Sequence, residues 1–190
     1  MYSWLSYICL AAVSSLAVGE AVINDCQLVG DADKKSTVEQ ALLQRLAPLK
    51  HKRFVTQTQE GTGTYTYTFV VCGRADNDTG STVGLMQTRT EPKENTAIGR
   101  ISQTHIMNGS HWIMMIYRGG DKYDNHCGSE ERKATIMILC DKSTLADDFT
   151  IIREERNKTK ECFYLFELSS SVACPPEESH LSVGSILLIV

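Results

Sequence analysis

Apolar residues recur at helical spacing in one part of the chain. From Val38 onwards they lie at intervals of three or four residues, which places them on one face of a helix. Ser36 and Glu39 fit a capping box, in which the serine hydroxyl accepts a hydrogen bond from a free backbone amide and the glutamate reaches back. Pro48 cannot continue an α-helix. The pattern predicts one short amphipathic helix over about residues 37–47.

Short runs of β-branched, apolar and aromatic residues follow, and turn residues separate them. The expected strands are 65–71, 83–88, 97–101, 103–107, 110–117, 133–140 and 162–168. Turn segments such as 76–80 and 118–121 recur at the spacing typical of a sandwich or barrel. We find no internal repeat or linker. The sequence therefore predicts one all-β domain with an N-terminal helix.

Both ends of the chain are apolar. Residues 5–16 have about the length of a signal-peptide hydrophobic region, and small residues follow, so we expect a signal peptide over 1–21. A buried N-terminal strand or helix is the alternative. The final stretch, 181–190, is too short to cross a bilayer, which needs about 20 apolar residues. We expect it to begin a transmembrane segment after a luminal domain over 22–180, and a terminal strand is the alternative.

The cysteines indicate an oxidising compartment. Beyond the expected signal peptide there are six, an even number with no C-x-x-C spacing: Cys26, Cys72, Cys127, Cys140, Cys162 and Cys174. This favours a disulfide framework over a zinc site, and it leaves the pairing open. Glycosylation sequons begin at Asn77, Asn108 and Asn157, which agrees with passage through the secretory pathway.

Charge and motifs exclude several classes of function. The formal net charge of −4 argues against a general nucleic-acid binder. The chain has no nucleophile elbow, zinc-protease motif or phosphate-binding glycine loop. Paired acids at 130–131 and 154–155 are most simply solvated loop residues, although a carboxylate-pair hydrolase stays open.

The densest polar cluster lies at 119–128, between two apolar strands. Its glycines permit backbone shapes in which amide hydrogens converge on an anion. Asp124 offers hard oxygen ligands to a divalent cation, while Asn125 and His126 can donate hydrogen bonds. This combination suits a phosphate with a metal counter-ion, and a plain polar hairpin is the alternative.

Around this loop the sequence resembles the P-type lectin family, the mannose-6-phosphate receptors. The segments that carry the resemblance are 108–114, 123–128, 144–147, 154–156, 162–167 and 179–185, and the match runs from about Cys26 to the last residue. It implies a flattened β-barrel of two crossed antiparallel sheets with a short N-terminal α-helix. It also implies the disulfides Cys26–Cys72, Cys127–Cys162 and Cys140–Cys174.

The resemblance implies a role for each site residue. The mannose contacts would be Gln87, Arg132, Glu154 and Tyr164. Asn125 and His126 would contact the phosphate, Asp124 would bind a divalent cation, by resemblance Mn²⁺, and Tyr65 would lie beside the pocket. A hydroxyl-rich ligand needs donors and acceptors at fixed angles, so this set could distinguish an axial from an equatorial hydroxyl.

The implied function is that of a receptor and not of an enzyme. Such a lectin would bind mannose 6-phosphate on N-glycans of lysosomal hydrolases and carry them from the Golgi to endosomes and lysosomes, with release at acidic pH. We expect a homodimer anchored in the membrane. The alternatives are an endoplasmic-reticulum quality-control lectin for unphosphorylated mannose, and a glycosidase or phosphatase using Asp124, Glu154 and His126.

Overall fold

The computed structural model describes residues 25–29, 36–60, 63–124, 126–154 and 158–176. The expected signal peptide over 1–21 and the expected membrane segment over 181–190 lie outside these ranges, as do Asn125 and Asn157. Within them, no helix has the length and apolar character needed to cross a membrane. Asn77 and Asn108, the two described sequon asparagines, are both exposed, and their glycosylation stays a prediction.

The predicted helix is present and slightly shorter than expected. Helix α1 spans Thr37–Arg45, and a 3-10 turn over Ala47–Leu49 contains the proline that was expected to end it. The Ser36 hydroxyl accepts a 3.3 Å hydrogen bond from Glu39 N, as the capping pattern predicts. The Glu39 carboxylate was expected to reach back along the helix. In the structure it accepts a 3.4 Å hydrogen bond from Ile106 N and so ties the helix to the sheet.

In the described part of the chain, eight strands follow the helix. They are β1 (Arg53–Glu60), β2 (Gly63–Val70), β3 (Val83–Arg89), β4 (Glu94–Asn108), β5 (Trp112–Gly119), β6 (Ala134–Cys140), β7 (Asp147–Glu154) and β8 (Tyr164–Ser170). Their order in the sheet is β1-β2-β3-β4-β5-β6-β8-β7, and of the pairs between these eight strands only β6–β8 is parallel. The edge strands β1 and β7 contact each other, so one continuous sheet curls into a nearly closed barrel. The all-β barrel expectation is confirmed.

The strand prediction was wrong in two respects. The two strands expected over 97–101 and 103–107 form the single strand β4, which has an irregularity in its pairing with β5 between Gly99 and Thr104. Strands β1 and β7 were not predicted. Their sequences are rich in polar residues, and Phe149 is the one buried residue of β7. Because both strands lie at sheet edges, they lack the apolar alternation that identifies a half-buried strand.

Aromatic residues fill the barrel interior. Phe69 stacks on Phe149 with ring centroids 5.5 Å apart, and Phe149 stacks on Phe166 at 5.3 Å. The fully buried Tyr117 donates a hydrogen bond from its hydroxyl to Val70 O and accepts one from Cys72 N. These contacts join β5 to the end of β2, so the hydroxyl of a core tyrosine has a structural role.

Three disulfides fix the connections, and they are the pairs that the resemblance implies: Cys26–Cys72, Cys127–Cys162 and Cys140–Cys174. The first joins the N-terminal segment to the residues after β2. The second joins the loop between β5 and β6 to the residues before β8. The third joins the end of β6 to the last described turn. The second disulfide therefore holds the loop that contains the polar cluster at 119–128, which is called the polar loop below.

Candidate functional site

The strand register brings the expected site residues to one end of the barrel. This end is formed by the start of β2, the end of β3, the start of β4 and the end of β5. The starts of β6 and β8 and the end of β7 continue it around the barrel. Residues far apart in sequence therefore meet here.

Side chains of β2, β3 and β4 form two neighbouring rows at this end. The inner row, aligned by the pairing, is Tyr67, Gln87 and Thr96. The outer row, two residues nearer the strand ends, is Tyr65, Arg89 and Glu94. Because side chains alternate between the faces of a sheet, residues two apart face the same side, and the two rows share one face.

A pocket of about 340 Å³ opens on these rows. Its lining residues are Tyr65, Gln87, Arg89, Glu94, Thr96, Asp124, His126, Arg132, Glu154 and Tyr164. All the expected sugar, cation and pocket residues lie together here, as does His126 of the phosphate pair. The other member of that pair, Asn125, lies outside the described residues.

Glu154 accepts hydrogen bonds from several directions. Its Oε2 accepts a 2.7 Å bond from the hydroxyl of Tyr67, which itself accepts a 2.8 Å bond from Gln87 Nε2. Tyr67 is fully buried, and burial together with the nearby Glu154 charge raises its pKa far above the usual value. The tyrosine therefore stays protonated and acts as a fixed donor to the carboxylate.

Burial shifts the protonation of Glu154 itself. Desolvation raises its pKa, and this is opposed by hydrogen bonds from Tyr67, Gln87 and Tyr164 and by the positive charge of Arg132. Its carboxylate consequently takes up a proton at a higher pH than an exposed glutamate does. As the pH falls and Glu154 becomes protonated, the pocket therefore loses part of its ability to accept hydrogen bonds.

Arg132 is held by backbone carbonyls and by an aromatic ring. Its Nη1 donates hydrogen bonds to Asp121 O at 3.2 Å and to Lys122 O at 2.5 Å. Its guanidinium carbon lies 4.5 Å from the centroid of the Tyr123 ring. Among the described residues, the buried Nε has no hydrogen-bond partner. The side chain is thus fixed in place beside the pocket with one donor unused.

Tyr123 packs behind the pocket wall. Its ring is parallel to that of Tyr164 at 6.5 Å and lies 4.8 Å from the His126 ring. Burial raises the pKa of the Tyr164 hydroxyl to about 12, so the hydroxyl is neutral at physiological pH. The buried Tyr123 hydroxyl has no partner within the described part of the chain. The Tyr123 ring therefore contacts both Arg132 and His126.

The loop between β5 and β6 is pinned at both sides. Asp121 Oδ2 accepts a 2.7 Å hydrogen bond from Ala97 N at the start of β4. Across the loop, the Glu130 carboxylate accepts bonds from Glu161 N at 3.0 Å and Cys162 N at 3.2 Å, and these bonds lower its pKa. Gly128 has a φ of +62°, a conformation that glycine adopts readily. Hydrogen bonds and a disulfide therefore hold the loop that carries Asp124 and His126 in place.

Asp124 offers one carboxylate to a divalent cation at the pocket. Its carboxylate is exposed at the pocket, and carboxylate oxygen suits Mg²⁺, Ca²⁺ and Mn²⁺. Within the described ranges, one cluster of three residues able to ligate a metal is present, Asp25 with Cys26 and Cys72, and these two cysteines form a disulfide. A cation at Asp124 would need oxygens from water or from an anionic ligand to complete its coordination.

Three lining residues of the pocket and two tyrosines that support it were not found from the sequence. They are Tyr67, Arg89, Glu94, Thr96 and Tyr123. Alternation along a strand offered a signal, since Tyr67 lies two residues from Tyr65 and Arg89 lies two from Gln87. Pairing of the β3 and β4 strand ends, which brings Glu94 opposite Arg89, could not be fixed without the register.

Comparison with known proteins gives a family and several relatives. The family described as mannose-6-phosphate receptor matches residues 19–190. The cation-dependent mannose-6-phosphate receptor of Rattus norvegicus is 50% identical over 190 residues, which cover 98% of this chain and 68% of the rat protein. The Homo sapiens receptor of the same name is 54% identical over 164 residues, which cover 86% of this chain and 59% of the human protein.

A solved structure shows the same fold. Domain 11 of the echidna receptor for mannose 6-phosphate and insulin-like growth factor 2 superposes with a TM-score of 0.52, covering 70% of this chain and 87% of that domain. Its sequence identity is 16%, so this likeness concerns the fold alone.

Proposed function

The chain belongs to the mannose-6-phosphate receptor family, and from the pocket chemistry we propose that it binds mannose 6-phosphate on N-glycans. This family is one of lectin receptors, so the expectation that the chain is not an enzyme is confirmed. One observation carries the proposal. A partly buried, hydrogen-bonded acceptor, Glu154, lies in one pocket with the donor Arg132 and with the polar loop residues Asp124 and His126.

The sugar end of the ligand would face Gln87, Arg132, Glu154 and Tyr164. Glu154 is held as an acceptor by Tyr67, while Arg132 has an unused buried donor. A hexose with the wrong stereochemistry at one carbon would leave such buried groups unpaired, which costs about 1–3 kcal/mol for each group. The pocket can therefore distinguish mannose from its epimers by about tenfold or more at each misplaced hydroxyl.

The phosphate end would face the polar loop. We propose that His126 and Asn125 donate hydrogen bonds to the phosphate and that Asp124 holds a divalent cation, Mn²⁺ by resemblance. The cation would neutralise Asp124, which otherwise repels the phosphate dianion. Among the described residues, no cluster of three metal-ligating side chains includes Asp124, so phosphate oxygens would contribute to the coordination of a cation there.

We further propose that acidification releases the ligand. The pKa of Glu154 is raised by burial, so a fall in pH converts this acceptor to a neutral acid while the phosphomonoester also gains a proton near pH 6. Such a receptor would bind lysosomal hydrolases near neutral pH in the Golgi and release them in endosomes. Membrane anchoring and homodimerisation belong to the same proposal.

A glycan array probed with the disulfide-bonded chain tests this function. Phosphomannosyl N-glycans, their unphosphorylated counterparts and capped phosphodiesters would be compared with and without Mn²⁺ at pH 6.5 and pH 4.5. We expect phosphomonoester glycans to bind most strongly, with Mn²⁺ and at the higher pH. Equal binding of unphosphorylated glycans would favour the quality-control lectin alternative and contradict the proposal.

A further inference from the structure

We propose that Arg89, in the outer row of the pocket, is an additional specificity-determining residue that contacts the phosphate of a phosphorylated sugar. This inference rests on the proposed function, and it assigns a cationic partner to the phosphate besides the polar loop. The position of Arg89 in the pocket supports this role. Arg89 lines the same pocket as Asp124 and His126 and occupies a place one row out from Gln87 on β3.

The guanidinium is preorganised and has an unused donor. Its carbon lies 5.8 Å from the centroid of the Tyr65 ring, which is paired with Arg89 in the β2–β3 register. The Nε atom is buried and has no hydrogen-bond partner among the described residues. A buried, unpaired donor on a charged group costs free energy in the absence of a ligand. An anionic ligand at the pocket would supply the missing acceptor.

Arg89 and the loop that carries Asp124 and His126 line the pocket at the same end of the barrel. Strand β5 runs antiparallel to β4, so its end leads the chain towards the start of β4, where Asp121 accepts the bond from Ala97 N. The following loop continues to Asp124 at the end of the barrel where Arg89 pairs with Glu94. The phosphate would then lie between the polar loop on one side and the outer row on the other.

The chemistry of arginine makes this contact distinct from that of His126. A guanidinium stays charged throughout the physiological pH range and matches two phosphate oxygens at once. Glu94 is the partner of Arg89 in the strand register and carries the opposite charge. In the described part of the chain the two side chains form no direct ion pair. Arg89 would therefore contribute affinity that depends on the phosphate and on ionic strength, and little to the recognition of the hexose ring.

The test compares Arg89→Gln, Arg89→Lys and the matched control Arg118→Gln in the full chain. Arg118 is an exposed arginine of β5 that does not line the pocket, so its replacement changes the net charge equally. Calorimetry would measure the affinity of each variant for mannose 6-phosphate and for methyl α-mannoside at pH 6.5 with Mn²⁺, at low and high salt. Thermal unfolding would verify that each variant is folded.

We expect Arg89→Gln to weaken mannose 6-phosphate binding about 10- to 150-fold, as for loss of a charge-assisted hydrogen bond. Methyl α-mannoside affinity should change less than about twofold, the salt dependence should fall, and Arg89→Lys should restore part of the loss. An Arg89→Gln variant that matches Arg118→Gln, or that weakens both ligands equally, overturns the inference. If the wild type itself shows no preference for the phosphorylated sugar, the proposed function fails as well.

Discussion

The Tyr67 hydroxyl donates a 2.7 Å hydrogen bond to Glu154 Oε2, joining β2 to β7 across the barrel. These strands are far apart in the sheet order and meet because the edges of the sheet contact each other. The bond fixes the acceptor of the pocket before any ligand arrives. Since Tyr67 also accepts from Gln87, one fully buried hydroxyl orients two of the expected sugar contacts.

Replacement of Tyr67 by phenylalanine should therefore impair binding more than its size suggests. Tyr67→Phe removes the donor to Glu154 and leaves Gln87 Nε2 without its acceptor, so we expect about tenfold weaker mannose 6-phosphate binding. Tyr117→Phe is the matched control, because that hydroxyl bonds to the backbone of Val70 and Cys72 in the core, away from the pocket. Both variants should lose about 1–3 kcal/mol of unfolding free energy. Equal binding losses would show that Tyr67 acts through stability alone.

The fold could be predicted where local pattern and burial coincide. The helical spacing after Ser36 and the apolar β5 and β6 were sufficient to predict these elements, because their sequences carry the period of the structure. Strand β7 was missed because most of its side chains are exposed and its sequence lacks an apolar pattern. Its strand conformation depends on the pairing with β8. The residue pattern of one segment does not show which other strand it will pair with.

The site was only partly predictable for a similar reason. Asp124 and His126 form a local cluster, and the family resemblance supplied Gln87, Arg132, Glu154 and Tyr164. Tyr67 resembles an ordinary core aromatic in sequence, and its polar role depends on a residue 87 positions away. Arg89 resembles a solvated strand-end charge until the register places it in the pocket.

Glu154 should make both binding and stability depend on pH. Because its folded pKa is raised, the folded state binds a proton more readily than the unfolded chain, so wild-type stability from this group falls as pH rises above 4.5 through the folded pKa. Glu154→Gln lacks this cost. We expect the variant to gain unfolding free energy relative to the wild type between pH 4.5 and pH 7, while its ligand affinity at pH 7 falls about tenfold or more.

Chemical denaturation at several pH values checks the stability part, and calorimetry checks the binding. Glu161→Gln is a suitable control because its side chain is exposed. A stability difference between Glu154→Gln and the wild type that is constant across this pH range would contradict the assigned cause.

The two C-terminal disulfides should differ in their effect on ligand binding. Removal of either pair by serine substitution should cost about 2–4 kcal/mol of stability. Removal of Cys127–Cys162 should also weaken mannose 6-phosphate binding, because this bond holds the loop that carries Asp124 and His126. Removal of Cys140–Cys174, which lies away from the pocket, should leave the affinity of the folded fraction unchanged. Calorimetry below the melting temperature of each variant distinguishes the two outcomes.

Glu130 should hold the same loop without touching the ligand. Its carboxylate accepts two backbone hydrogen bonds, from Glu161 and Cys162, so Glu130→Ala should loosen the loop and weaken mannose 6-phosphate binding about 3- to 10-fold. Glu131→Ala, an exposed neighbour of equal charge, is the control. Since the folded pKa of Glu130 is lowered, its stabilising contribution is present above pH 4.5 and is lost as the pH falls through the folded pKa.

Denaturation of Glu130→Ala and the wild type at pH 7 and pH 3 checks that sign, and the two proteins should converge at the lower pH. A difference that grows with acidification would mean that the carboxylate does not act as the acceptor seen here.

We propose that this pocket recognises both the mannose ring and the phosphate that it carries. Calorimetric titration of the full chain with mannose 6-phosphate and with glucose 6-phosphate, its 2-epimer, in Mn²⁺ at pH 6.5 tests this most directly. The phosphate is common to both ligands, so any difference reports the sugar contacts around Glu154 and Arg132. We predict at least about tenfold tighter binding of mannose 6-phosphate. Equal affinity for the two sugar phosphates would mean that the pocket does not recognise the mannose ring.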